Sequence, residues 1–288
     1  MIKILITGAT GNVGVEVISA LQKLDHSMAL FAGVRDIELG NEQLSRYNIK
    51  HVKFDFTDRA TFLPALEKVD ILFLLRPPQI SDVDKYFNPL IQTAKETAIK
   101  HIVFLSVQGV EKSSIIPHHK IEKLIIGSGI PYTFLRPAYF MQNFTTTLRN
   151  DLVNHHRIYL PAGRAKFTLI DIKDIGTVAA KVLTEPEKHI NKSYELTNDE
   201  TLSFGEMADA ISARLGLKIK YTSPNLLHFF LTKRKEGVPI AFILVLIMLH
   251  YLPRFQKRPK RTKYVRSITG QEAKSFDDFI RRNKKELQ

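Results

Sequence analysis

Thr7-Gly8-Ala9-Thr10-Gly11-Asn12-Val13-Gly14 is the stretch whose reading decides the fold. Behind it lies Ile2-Lys3-Ile4-Leu5-Ile6, an apolar run of the length of a buried strand. Ahead of it, Val15 to Leu24 carries apolar residues at 17, 18, 21 and 24, the spacing of a helix. Strand, glycine turn and helix in that order make a dinucleotide site. Gly8 makes the tight turn, Gly11 lets a pyrophosphate approach the backbone, and Gly14 lets helix and strand sit close. The free N–H groups at the helix start, with the positive end of its dipole, then hold the phosphates. Thr7, Thr10, Asn12 and Val13 complete this cofactor-binding set. The glycine spacing is one residue wider than Gly-x-Gly-x-x-Gly.

The strands that follow extend the pattern. Ser27 to Val34 reads as a second buried strand ending at Arg35-Asp36. An acidic residue about 20 positions beyond the last glycine holds the ribose of NAD. Here Arg35 stands at that distance, where a guanidinium pairs with a 2′-phosphate, so NADP is favoured over NAD; the adjacent Asp36 leaves NAD open. His51 to Phe56 is a third strand, with Asp55 and Phe56 at the end where an adenine would rest; Asp55 fits a loop-stabilising role almost as well. Asp58 is placed to cap a helix from Arg59 to Lys68. Val69 to Leu75 is the fourth strand, stopped by Arg76-Pro77-Pro78; a helix from Val83 to Ile99 and a fifth strand, His101 to Ser106, follow. This alternation is that of a Rossmann-type, doubly wound parallel sheet. Ligands bind such sheets beyond the carboxyl ends of the strands, which groups Arg35, Asp55, Leu75, Arg76 and Ser106 with the glycine turn.

Composition narrows the function classes. With 288 residues and 44% hydrophobic content, the chain can bury a large core. It has no cysteine, which excludes disulfides, thiolate catalysis and Cys-based metal sites. The histidines lack metal-ligand spacing, and no metal is expected. From Pro253 onward stand 12 Lys/Arg against 4 Asp/Glu, so +8 of the formal +13 falls in the last 36 residues. A solvated basic face accounts for this better than a nucleic-acid site does. The first residues already form the first strand, so a cytoplasmic location is expected, without a leader.

Pro117-His118-His119-Lys120-Ile121-Glu122 and Ser128-Gly129-Ile130-Pro131-Tyr132-Thr133-Phe134-Leu135-Arg136-Pro137 resemble the NmrA-like branch of the atypical short-chain dehydrogenase/reductases. So do the opening glycine turn, the Val52 to Asp58 strand end, Ala138-Tyr139-Phe140-Met141-Gln142-Asn143-Phe144, and the ending Ser267-Ile268-Thr269-Gly270 with Ser275 to Ile280. The resemblance implies an NAD(P)-binding Rossmann domain with a small substrate region. It implies cofactor contact for Tyr139 and substrate contact for Tyr139, Phe140 and Asn143. Ser106 matches the superfamily's end-of-strand serine. The superfamily's Tyr-x-x-x-Lys pair is missing: Ser114 holds the tyrosine position and His118 the lysine position. Similar reductases also place a histidine there, with a glutamate four residues later, as Glu122 is here. Ser106 and His118 are therefore the catalytic candidates, although a histidine just before a helix also suits capping or solvent. The absent tyrosine argues against a sugar-nucleotide epimerase.

Beyond Leu148 the alternation breaks down. The expected division is a Rossmann domain over 1–150, regaining a strand and helix from about 166–185, and a smaller mixed α/β substrate region over 186–288. Ser203-Phe204-Gly205-Glu206 is a capping box opening a helix. Val238 to Leu252 is apolar almost all round and, at 15 residues, too short to span a bilayer. Burial over the carboxyl ends of the Rossmann strands would bring Phe242 and Met248 to the substrate; membrane-surface association is the alternative. The sequence thus points to an NAD(P)H-dependent reductase of a small, flat, electron-poor substrate such as a quinone or dye, acting as monomer or homodimer. A non-catalytic NADP-binding regulator is the competing class, and a DNA-binding protein using the basic tail is a third.

Overall fold

The apolar run Ile2–Ile6 becomes the strand β1, and the glycine turn leads into α1 (Asn12–Gln22). There follow β2 (Met28–Val34), α2 (Ile37–Gln43), β3 (Lys50–Lys53), α3 (Phe62–Leu66), β4 (Ile71–Leu75), α4 (Val83–Glu96), β5 (His101–Leu105), α5 (Pro117–Ser128) and β6 (Tyr132–Pro137). Next come β7 (Tyr139–Phe140), α6 (Arg149–His155), β8 (Arg157–Tyr159), β9 (Lys166–Ile170), α7 (Ile172–Thr184) and β10 (Lys192–Leu196). The remainder is β11 (Thr201–Ser203), α8 (Phe204–Leu215), β12 (Lys220–Thr222), α9 (Leu226–Lys235), α10 (Ile240–Tyr251), α11 (Tyr264–Thr269) and α12 (Phe276–Arg282). The computed structural model describes residues 1–24 and 28–288; Ser27, expected to open the second strand, lies outside the described residues.

Two compact units divide the chain. The first comprises residues 1–138, 172–196 and 264–271. Its seven-stranded sheet runs β10-β6-β5-β4-β1-β2-β3, and every pairing in it is parallel. Strands covered on both faces read as unbroken apolar runs, and Leu72, Phe73, Leu74, Ile102, Val103 and Phe104 are fully buried. Helices α1 and α7 lie so close that a Cβ on Gly176 would meet the Glu16 carbonyl oxygen at 2.7 Å.

The second unit comprises residues 139–171, 197–263 and 272–288. A three-stranded mixed sheet, β11-β9-β7, and a two-stranded one, β12-β8, carry its strands. Its core joins Met141, Phe144, Phe204, Phe229, Phe276 and Phe279. The capping box at Ser203 and Glu206 closes in both directions and starts α8.

The structure redraws three expected boundaries. Helix α4 stops at Glu96 and not Ile99, because Ala98 adopts a left-handed φ of 56°. Helix α7 does return to the first unit, but the strand before it, β9, pairs with β7 and β11 in the second. It is β10 that joins the large sheet, in register with β6 from Lys192↔Thr133 to Leu196↔Pro137. The segment 238–252 is not buried all round: on α10 only Ile243, Leu246 and His250 are buried, while Phe242 is 42% and Met248 39% exposed.

Candidate functional site

The first turn of α1 is open, with no side chain capping it. Gly8 takes a left-handed φ of 59°, and its carbonyl accepts the Gly11 N–H at 3.0 Å, closing the turn. A Cβ on Gly14 would stand 2.3 Å from the Gly8 carbonyl oxygen and 2.8 Å from Ala9 Cα, so only glycine lets the helix start this near the strand. Gly11 is the N-cap residue and supplies no side-chain cap. Gly8, Thr10, Gly11 and Asn12 are exposed and Val13 is half-exposed, so the backbone N–H groups at the helix start face outward. Thr7 is different. It is fully buried, and its Oγ1 accepts the Leu75 N–H at 2.8 Å and donates to the Phe73 carbonyl at 3.2 Å. Thr7 thereby ties the turn to the end of β4, while the Leu75 side chain lies against Gly8.

Along the carboxyl edge, Asp36 accepts the Leu39 N–H at 3.0 Å as the N-cap of α2. One oxygen of its carboxylate thus faces the helix, and exposed Arg35 stands beside it at the end of β2. Lys53, opposite Val34 in the β2–β3 register, donates its ammonium to the Arg35 carbonyl. Two cations therefore share this corner. Lys53 was not among the residues the sequence singled out; the pairing of β2 with β3 is what brings it there. Asp55 accepts the N–H and hydroxyl of Thr57, both at 2.8 Å, and so works as a loop brace. Phe56 is 6% exposed and packs on Phe54 and Phe87 in the core.

At the other end of the sheet edge, Ser106 is buried and its Oγ has no hydrogen-bond partner. A buried hydroxyl without a partner is costly unless a bound group satisfies it. His118 is the second residue of α5, inside the helix behind Pro117 and not before it. Its ring stacks on Phe104, with 5.9 Å between ring centroids. Arg76 donates from Nε to His118 Nε2 at 3.4 Å and from Nη1 to the carbonyls of Pro77, Pro78 and Ile80. Burial, reinforced by the Arg76 charge, pulls the His118 pKa down to about 3. The ring is neutral at neutral pH, with Nε2 as acceptor and the proton on Nδ1. Glu122, four residues on, makes a bidentate ion pair with Arg136 at 3.0 and 2.7 Å, fastening α5 to β6.

Within the second unit, Tyr139 donates its hydroxyl to His250 Nε2 at 3.2 Å, and His250 Nδ1 donates to the Leu246 carbonyl at 2.7 Å. Asn143 also hydrogen-bonds Tyr139, whose pKa burial raises well above its ordinary value. Burial lowers His250 to about 4. Phe140 is half-buried beside them in β7. His250 lies 111 positions from Tyr139, and no sequence spacing signals the pair.

The residues of the first unit fit a dinucleotide: an uncapped helix start, a glycine no other residue could replace, a cationic corner and an orphaned buried hydroxyl all lie along one sheet edge. Known proteins share this chain's sequence and fold. A Dictyostelium discoideum chain, the prestalk A differentiation protein A, is 31% identical over 96% of this chain and 91% of its own. The NAD(P)H azoreductase of Xenophilus azovorans is 28% identical over 96% of each chain. The crystal structure of an NADPH-dependent quinone oxidoreductase of Escherichia coli complexed with NADPH superposes with a TM-score of 0.86 at 23% identity, over 97% of this chain and 99% of that one. The profile of the NmrA-like family matches residues 2–246, and this chain belongs to that family.

Proposed function

We propose that this protein is an NAD(P)H-dependent reductase, with NADPH the preferred cofactor, acting on a small, flat, electron-poor acceptor such as a quinone or dye. The observation that carries the reading is the first turn of α1, open and uncapped, on the same sheet edge as the unpartnered Ser106 hydroxyl. The backbone N–H groups of Asn12, Val13 and Gly14 would receive the pyrophosphate. Arg35 and Lys53 would receive a 2′-phosphate, with one oxygen of the adjacent Asp36 carboxylate engaged in capping α2.

The cofactor supplies a hydride. The chain's part is to orient and to exclude water. His118 is held neutral, and Ser114 stands where the superfamily has its tyrosine, so neither residue provides a strong acid. Quinones and cationic dyes accept hydride without one. The azoreductase and quinone oxidoreductase among the relatives support the same substrate class.

Steady oxidation of NADPH in the presence of a panel of quinones, azo dyes and triphenylmethane dyes, and not in their absence, is the expected result. Tight NADPH binding with no turnover across the panel would overturn the enzyme reading in favour of a cofactor-binding regulator.

A further inference from the structure

Helix α10 turns its apolar surface both ways. Ile243, Leu246 and His250 face the core of the second unit. On the outer side, Phe242, Leu244, Val245, Met248 and Leu249 are between 39% and 55% exposed. Leu252 and Phe255 continue the apolar surface beyond the helix, at 48% and 73% exposed, as do Leu227 and Leu231 of α9 at 69% and 57%. Exposed apolar surface this continuous marks an interaction site.

Charge says what covers it. Residues 226–263 hold nine Lys/Arg, of which Lys233 is buried against Asp151 and Glu236 and Lys263 pairs with Asp199, and one acidic residue, Glu236. Glu236 is already paired, with Lys233 at 2.7 Å and Arg157 at 3.3 Å. Cations bound both ends of the apolar helix: Arg234 donates to the Val238 carbonyl at 3.2 Å, and Arg254 lies 4.9 Å over the Tyr251 ring. Exposed Lys257 and Arg258 follow. We propose that α10, with Phe255 and the basic segment after it, is a docking surface for an anionic lipid bilayer, the helix lying in the plane of the interface. Its 12 residues measure about 18 Å, short of the roughly 30 Å hydrocarbon layer, so the helix lies on the membrane and does not cross it. Apolar side chains enter the acyl boundary while long cationic ones reach the headgroup phosphates. A second copy of the chain fits less well. A twofold axis lays the helix on its own copy parallel or antiparallel, and because both ends carry cations, either arrangement sets cation on cation.

This surface stands apart from the reductase reading. Combined with that reading, it would give the enzyme access to quinones dissolved in lipid, and only that consequence rests on it.

The test is co-sedimentation of the full chain with vesicles of phosphatidylcholine alone and of phosphatidylcholine with phosphatidylglycerol at about 3:1. Binding to the anionic vesicles should be about tenfold tighter or more, and should weaken as salt rises from about 0.1 to 1 M and the screening length shrinks from roughly 10 to 3 Å. The double variant Leu244→Asp/Leu249→Asp should lose binding while keeping its circular dichroism spectrum and its NADPH affinity. Lys257→Glu/Arg258→Glu, outside any helix, should also weaken binding to anionic vesicles and keeps the test decisive if the first variant fails to fold. Absence of wild-type binding to anionic vesicles would overturn the proposal, whatever the enzymatic assays show. So would undiminished binding by a folded Leu244→Asp/Leu249→Asp variant, or a stable dimer in sedimentation velocity that this variant dissociates.

Discussion

Arg76 donates to His118 across 3.4 Å, and this contact makes the histidine an acceptor at Nε2. The ring cannot act as an imidazolium acid near neutral pH, since burial and the Arg76 charge hold its pKa down to about 3. As a neutral ring with Nδ1–H as its donor, His118 is expected to orient bound groups and not to supply a strong acid. The same guanidinium gathers the carbonyls of Pro77, Pro78 and Ile80, so one side chain sets both the loop after β4 and the tautomer of His118.

The rate of NADPH-dependent reduction should show no ionisation of His118 between pH 5 and pH 8, about the range in which an unperturbed histidine titrates. His118→Ala should slow quinone and cationic-dye reduction by similar factors, below the roughly 10²–10⁴-fold span of general acid–base catalysis. A pH-dependent loss confined to quinones would restore the acid role. In Arg76→Met, an NMR titration of the His118 ring should show its pKa moving up toward the ordinary value.

Acid should destabilise the fold through its buried histidines. His101, His118 and His250 are lowered to about 4, 3 and 4, in each case first by burial. Below the ordinary histidine pKa of about 6.5 the unfolded chain binds protons that the folded chain refuses. Stability is therefore complete above that pH and is lost as pH falls toward 4, by about 1–2 kcal/mol per histidine at pH 5. Denaturant melts at pH 7.5 and pH 5 should record the fall; equal midpoints would mean that the histidines protonate freely in the native state.

Arg35→Ala should weaken NADPH binding by roughly 1.5–3 kcal/mol, the scale of a charge-assisted hydrogen bond, and leave NADH nearly unchanged. Lys53→Ala should act in the same direction. Calorimetric titration that finds equal losses for both cofactors would remove the 2′-phosphate assignment.

Gly14 and Gly176 separate binding from stability. A methyl at Gly14 meets backbone of the turn at 2.3 and 2.8 Å, and one at Gly176 meets the Glu16 carbonyl at 2.7 Å. Both alanine variants should lose about 1–3 kcal/mol of stability, the cost of overpacking. Only Gly14→Ala should also lose NADPH affinity, because it moves the N–H groups proposed to receive the pyrophosphate.

Arg136→Met should cost about 3–5 kcal/mol, because it strands the carboxylate of Glu122, which is 5% exposed. Glu122→Leu/Arg136→Met should recover much of that loss in the same melts. A double variant as unstable as the single one would show that the ion pair does more than satisfy itself.

What the sequence by itself determined is the opening strand, glycine turn and helix and the parallel strands up to Ser106. Ile2–Ile6, Gly8, Gly11, Gly14 and the alternating apolar runs to Ser106 act locally, through strand length, helical period and the conformations open to glycine. The family followed from the glycine turn together with residues 117–137, residues 138–144 and the ending over 267–280. The tertiary structure decided what depends on pairing across distance. Asp36 turned to its helix cap, Arg76 met His118 from 42 positions away, and Tyr139 met His250 from 111. Ser106 is left with no partner for its hydroxyl among the described residues, and β10 crossed into the large sheet. The segment 238–252 was the hardest to read because an all-apolar run has no periodicity to say which side faces inward. Only contact with the core of the second unit turned Ile243, Leu246 and His250 inward and left Phe242, Leu244, Met248 and Leu249 exposed.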